Sequence, residues 1–194
     1  MLDRVEQVVI AALWIWLAQR VAVSGRPDAW LMLISETIIV IFILLRRSTQ
    51  SISLRLGDWL LAITATAAPL LVLPGAGAIP GIHLLGITLV MLGNMIHLGA
   101  KLSLRRSFGI APANRGIKVN WLYQFVRHPM YAGYLLVHLG ILILMPLPIN
   151  LVVYAIGWWA QILRLKAEEN LLSQDPVYRD YCATVRWRLI PGLF

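Results

Sequence analysis

Cysteine is almost missing from this chain. Cys182 stands alone, which excludes an intramolecular disulfide framework and any cysteine-rich metal site. Charge is scarce too, at 13% of 194 residues against roughly 25% in a soluble domain. The four histidines, at 83, 97, 128 and 138, include no close pair of the HExxH kind, so no zinc-hydrolase signature is present. Gly-x-Ser-x-Gly is lacking, and Cys182 has no histidine near it in sequence, which removes the usual nucleophile motifs. There is no internal repeat and no low-complexity tract. Chemistry in this chain must use other side chains.

What the sequence has instead is apolar surface. Apolar residues make up 59% of it and the mean hydropathy is +0.75, an excess that must face lipid rather than one compact core. Apolar segments run over about 5–23, 30–45, 59–73, 79–98, 130–145 and 149–163. They predict one integral membrane domain with an all-α fold: a polytopic helix bundle of five to six transmembrane segments. Several are shorter than the roughly 20 residues of a full span, and Trp30, Trp59 and Trp121 would place their ends at the interfaces. Arg4 followed by an apolar stretch and Ala22-Val23-Ser24 resembles a signal peptide with its cleavage site. Gln19 and Arg20 just ahead of that site favour a retained first helix.

Basic residues exceed acidic ones by 17 to 9, a net charge of +8, but they sit in loops that bound the apolar runs. With a cytoplasmic N-terminus, fifteen of them share one side, from Arg4, Arg46 and Arg47 to the stretches 101–127 and 164–188. Only Arg20 and Arg26 lie on the other. That asymmetry is the positive-inside pattern of membrane proteins, not the basic face of a nucleic-acid binder. Pro146 and Pro148 mark a tight hairpin between the last two apolar segments. The chain thus divides into N-terminal transmembrane helices, 1–98, and a half at 99–194 where polar residues gather at a cytoplasmic boundary.

Two constellations stand out there. In Arg127-His128-Pro129-Met130-Tyr131-Ala132-Gly133-Tyr134, proline keeps His128 extended and starts a helix near Pro129. The N–H groups of Met130, Tyr131 and Ala132 would then face the loop and attract ligand acceptors beside Arg127 and His128. Tyr131, Tyr134 and His138 follow at helical spacing, with their polar tips on one side. The second is Arg164-Leu165-Lys166-Ala167-Glu168-Glu169, where Arg164 and Glu168 share a helical face and two adjacent carboxylates suit a ligand cation. The stretch Ser107-Phe108-Gly109-Ile110 to Tyr123 reads as a lid, and 176–194 as an interfacial helix with Val177, Tyr181 and Val185 on its apolar stripe. Glu36, between Ser35 and Thr37 in an apolar segment, is a further suspect by its depth.

The motif Arg127 to Gly133, followed about thirty residues later by Arg164 and Glu168-Glu169, resembles the isoprenylcysteine carboxyl methyltransferase family. Phospholipid N-methyltransferases share a similar pattern. The likeness covers roughly 100–194, with Ser107-Phe108-Gly109, Tyr178, Tyr181 and Arg188-Leu189-Ile190-Pro191 also fitting. It implies a membrane enzyme that binds S-adenosylmethionine in a cytoplasm-facing pocket of the C-terminal half and takes a lipophilic acceptor from the bilayer, with no metal. By motif match, His128, Pro129 and Tyr131 would contact the cofactor beside Arg127. Glu168, with Glu169 next to it, would hold its cationic part, Tyr123 would line the pocket, and Arg164 would orient the acceptor carboxylate, making Arg164 and Glu168 the catalytic pair. One departure is Trp121, where related sequences usually have glycine. An ionised carboxylate acceptor needs no base, whereas an amine or thiol would need one, from His128 or Glu168. Sterol reductases, which carry a similar Arg-His-Pro-x-Tyr segment, and a non-enzymatic transporter or assembly factor are the readings from other classes.

Overall fold

The computed structural model describes residues 2–45, 55–75, 77–104 and 116–194, with side chains from residue 7 onward. Arg4, Arg46, Arg47 and the expected lid at Ser107-Phe108-Gly109-Ile110 lie outside what it describes. Among the described residues seven α-helices follow one another: α1 (Leu2–Ser24), α2 (Ala29–Leu45), α3 (Leu56–Ala67), α4 (His83–Leu104), α5 (Pro129–Leu144), α6 (Pro148–Leu172) and α7 (Pro176–Thr184). Short 3₁₀ turns lie at Ala68–Leu71 and Trp121–Gln124. The described residues form no strand, so the all-α expectation stands.

The expectation of five to six spans does not. Among the described residues, two helical stretches are long and apolar enough to cross a membrane, Gln7–Ser24 and His83–Leu104. The reason lies in where the helices stop. Segment 59–73 is interrupted by Pro69, which sits at the start of a 3₁₀ turn and leaves α3 only 12 residues. Helix α5 has 16 residues and α2 has 17, below the roughly 20 that a bilayer core requires. Helix α6 is long enough at 25 residues but carries Arg164, Lys166, Glu168 and Glu169 in its second half. The apolar helices nonetheless indicate association with a membrane. Little of either candidate span is buried within the molecule, and Leu84, Met95 and Leu98 of α4 face outward.

One end of the bundle is tied by buried polar groups. Asn150, fully buried, accepts from Leu73 N–H at 2.8 Å and donates to the carbonyls of Leu73 at 3.0 Å and Met145 at 3.1 Å. It fastens the α3–α4 connection to the α5–α6 hairpin. Ile79 N–H donates to Ile143 O at 2.9 Å. Arg26, paired with Asp28, reaches Leu144 O at 3.3 Å. The expected hairpin at 145–148 is therefore present, and the α1–α2 turn lies at the same end.

Helices α4 and α5 approach almost backbone to backbone. A Cβ at Gly93 would lie 2.7 Å from Gly133 O, and one at Gly140 would lie 2.6 Å from Gly86 O. Small residues at such crossings let helices associate where lipid supplies no hydrophobic drive. Helix α6 rests on α3, where Gly157 faces Ala68, and meets α5 mainly through large side chains. Lys101, which by sequence flanks the membrane, is instead fully buried near the end of α4. Its Nζ is 5.3 Å from the Phe42 ring and 5.9 Å from that of Tyr134, and its charge acts on the buried Glu36. Ser35 and Thr37, the neighbours of Glu36 in sequence, donate to the carbonyls of Leu31 and Leu33.

Gly140→Ala should therefore destabilise the protein by about 1–3 kcal/mol, the usual cost of overfilling a tight contact. Gly57→Ala, where a Cβ would meet nothing within 4 Å, should change stability by less than about 0.5 kcal/mol. Denaturant unfolding in detergent reads both.

Candidate functional site

The site lies at the other end of α5 and α6, and it begins with proline chemistry. Pro129 occupies the first position of α5, and His128 caps it in a non-helical conformation (φ −129°, ψ 60°). The N–H groups of Tyr131 and Ala132, expected to be free, both donate to His128 O, at 3.0 and 3.1 Å. This helix start is therefore less open to an anion than the sequence suggested. The preceding residues run alongside the C-terminal strap: Arg127 N–H donates to Trp187 O and His128 N–H to Arg188 O, each at 2.8 Å. The strap thereby fixes which way the His128 ring points.

That ring points at Glu169. Nε2 of His128 lies 3.1 Å from Glu169 Oε1, and since a carboxylate only accepts, Nε2 carries the shared proton. Arg188 Nε donates to Oε2 at 2.7 Å. Arg127 approaches Oε1 at 3.4 Å, and Tyr178 OH reaches it at 3.5 Å. Burial pushes the Glu169 carboxyl up, but hydrogen bonds from His128 and Arg188 and the charges of His128 and Arg127 outweigh it and bring it down to about 2. Arg127 further donates to Cys182 Sγ at 3.0 Å and to Arg186 O at 3.3 Å.

Glu168 is treated differently. It is half-buried, and among the described residues its hydrogen bond is to Tyr131, whose hydroxyl donates to Oε2 at 2.8 Å. The Tyr131 ring is fully buried and lies 5.6 Å from the Arg164 guanidinium, close enough for a cation–π contact. The ring of the capping His128 and three rings of α5 form a ladder. His128 stacks on Tyr131 at 5.4 Å, Tyr131 on Tyr134 at 6.2 Å, and Tyr134 on His138 at 6.1 Å. His138 then crosses to α6, stacking on Tyr154 at 4.3 Å and accepting at Nδ1 from Trp158 Nε1 at 3.0 Å.

Because α5 and α6 meet through these large rings, a narrow cleft opens among α2, α3, α5 and α6. Ile39, Pro69 and Trp158 give it apolar walls, and the buried Arg164 reaches into it. Tyr123, in the 3₁₀ turn, is buried, and its carbonyl accepts from Tyr181 OH at 2.6 Å. Burial, and then the charge of Glu168, raise the Tyr123 phenol well above its ordinary value, so that group stays protonated beside Glu168.

Thus Arg127, His128, Pro129, Tyr131, Glu168 and Glu169 converge with Tyr123 and Arg164 on one region. The sequence reading gave Arg188 no role, although its guanidinium completes the Glu169 cluster. The tail expected as an interfacial helix over 176–194 is α-helical only over Pro176–Thr184, and its stripe divides: Val177 is exposed, whereas Tyr181 and Val185 turn inward with Tyr178. Their spacing was visible; their orientation was not. Trp121 has φ 56°, the left-handed region that favours glycine. The tryptophan thus keeps a backbone shape suited to glycine, and among the described residues no other non-glycine has a positive φ.

Residues 81–174 match the Isoprenylcysteine carboxyl methyltransferase (ICMT) family. The chain is also similar to Protein-S-isoprenylcysteine O-methyltransferase B of Arabidopsis thaliana, 26% identical over 121 residues that cover 59% of this chain and 61% of the plant protein. The match thus spans less than two thirds of that relative. The family stretch contains α4, α5, α6 and both motifs, while Tyr178, Tyr181 and Arg188 lie beyond it.

Two measurements follow from this geometry. Glu169 is more acidic folded than unfolded, so its contribution to stability is complete above about pH 4.5 and is lost as pH falls toward 2. Unfolding free energy should fall more steeply over that window in the wild type than in Glu169→Gln. Trp121→Gly should stabilise by about 1 kcal/mol in denaturant unfolding, since it relieves a left-handed conformation at the cost of an exposed ring.

Proposed function

We propose that this chain, whose residues 81–174 match the isoprenylcysteine carboxyl methyltransferase family, is an S-adenosylmethionine-dependent membrane methyltransferase. Its acceptor in this reading is an isoprenylcysteine-like or other lipophilic carboxylate that enters from the bilayer. The observation that carries the reading is the position of Tyr131. Its hydroxyl is bound to Glu168 and its ring lies by Arg164, so the group assigned to a ligand cation and the group assigned to an acceptor anion share one side chain.

The residues fit the cofactor. Glu168 is a half-buried carboxylate with one phenolic partner among the described residues, which leaves acceptor capacity for an ammonium. The buried Tyr131 ring beside it lowers the local polarity and so strengthens the hold of that carboxylate on a cation. Bound there, S-adenosylmethionine supplies a methyl group already activated on a sulfonium. Arg164 holds the acceptor carboxylate through paired hydrogen bonds, and proximity with alignment is then the main requirement for displacement. The tyrosine ladder and the apolar cleft keep water away. Glu169, held by His128, Arg127 and Arg188, keeps the His128 ring and the end of α6 in place rather than taking part.

A carboxylate acceptor is favoured over an amine. Arg164 lines the cleft, and its guanidinium favours an anionic group there over a further cation. His128 Nε2 is engaged with Glu169, so it is poorly placed to act as the base an amine or thiol requires. The catalytic half faces the side with most of the basic residues, taken as cytoplasmic.

The test is calorimetric titration of detergent-purified protein with S-adenosylhomocysteine, with NADPH as control. The wild type should bind the former and not the latter. Glu168→Ala should weaken binding by at least about 30-fold, as expected for a lost charge-assisted contact. Arg164→Ala should keep cofactor binding and lower methyl transfer to N-acetyl-S-farnesylcysteine by about 100-fold. Wild-type affinity in Glu168→Ala would remove the cofactor assignment.

A further inference from the structure

Gln161 lies three residues before Arg164 on α6 and lines the same cleft. It is only 5% exposed. Its Nε2 is buried with no hydrogen-bond partner among the described residues, which is rare in a folded interior because an unmet donor is costly. Neighbouring polar groups do not answer it. Thr66 Oγ1, also on the cleft, donates to Ala62 O at 2.8 Å. His138 accepts from Trp158 at Nδ1, so its neutral ring carries the proton at Nε2 and is a second donor. Among the described residues no carboxylate lines the cleft. Beside the phenols of Tyr134 and Tyr154, its wall therefore presents the amide of Gln161, the imidazole of His138 and the Arg164 guanidinium to whatever fills it.

Residues three apart on a helix stand about 5–6 Å from each other at Cβ. Both side chains line the one cleft, so a molecule with a carboxylate at Arg164 can carry a nearby carbonyl to Gln161. We infer that Gln161 is a specificity-determining residue. It donates to a carbonyl oxygen next to the acceptor's carboxylate, so the cleft selects lipophilic acids with an amide or similar acceptor over equally long acids without one. This rests on the reading of Arg164 as the carboxylate site. Gln161 sets which acid binds and takes no part in methyl transfer.

Two probes isolate the contact: N-acetyl-S-farnesylcysteine, and S-farnesyl-3-mercaptopropionate, which lacks the acetamido group. Their dissociation constants are measured by calorimetry on the full detergent-purified chain without cofactor. Wild type should bind the amide acid about tenfold more tightly, the preference expected of one buried hydrogen bond. Gln161→Met, similar in shape and without the amide, should bring the ratio near one. Gln161→Glu, which puts an acceptor in place of the donor, should bring it below one. A wild-type ratio near one, a preference that survives Gln161→Met, or no binding of either acid would overturn the assignment. If the acids bind with the expected ratio and neither is methylated when S-adenosylmethionine is added, the methyl-transfer reading fails and the Gln161 assignment stands.

Discussion

The buried carboxylate of Glu169 is the constraint from which the functional end of this molecule is built. A carboxylate removed from water is costly unless it is matched by donors with good geometry. Here the donors come from three places in the chain: Arg127 and His128 before α5, Tyr178 on α7, and Arg188 in the C-terminal strap. His128 lies 41 residues before Glu169, whereas Tyr178 and Arg188 lie 9 and 19 residues after it. Satisfying one charge therefore fixes the end of α6, the start of α5 and the strap at once. The paired backbone contacts of Arg127 and His128 with Trp187 and Arg188 then follow as part of the same closure.

A second consequence concerns spacing. Helices α4 and α5 are drawn into contact by Gly86, Gly93, Gly133 and Gly140, whereas α5 and α6 are kept apart by Tyr131, His138, Tyr154 and Trp158. The hairpin at 145–147 and the Asn150 clamp close one end of that pair, and Glu169 closes the other. Between the two closures, large rings leave a cleft rather than a filled core. Arg164 lines that cleft and lies by the Tyr131 ring, whose hydroxyl is bound to Glu168, so the cleft adjoins the charged end.

The parts of this arrangement written in local sequence were legible. Proline at 129 gave the start of α5, and prolines at 146 and 148 gave the hairpin. The spacing of Tyr131, Tyr134 and His138 gave the ladder. What depended on tertiary geometry was not. The span count failed because apolar runs do not reveal where Pro69 ends a helix or how far charge intrudes into α6. Glu168 and Glu169 looked alike in sequence, and only the approach of Arg188 from a distant strap gives one of them four partners. Lys101 looked like a flanking charge because nothing nearby in sequence announces that Glu36, 65 residues earlier, shares its burial. Trp121 could be seen as a departure from glycine, but only the backbone showed that the glycine-like φ persists.

The separation of roles between the two glutamates has a physical logic in the proposed reaction. Joining an anionic acceptor to a cationic methyl donor consumes charge, so the transition state is less polar than the separated ions, and an apolar, water-excluding site favours it. Strong clamps on either ion work against that gain by stabilising the ground state as well. A site with both glutamates open would grip the cation twice. Neutralising Glu169 with His128, Arg127 and Arg188 leaves Glu168 as the carboxylate with capacity to spare, and Tyr131 tempers it by one hydrogen bond. On the acceptor side Arg164 is tempered in the same way, since the face of the Tyr131 ring lies by its guanidinium. Tyr131 thus moderates both charges while holding them one side chain apart, which is the balance between binding and turnover that such a displacement demands.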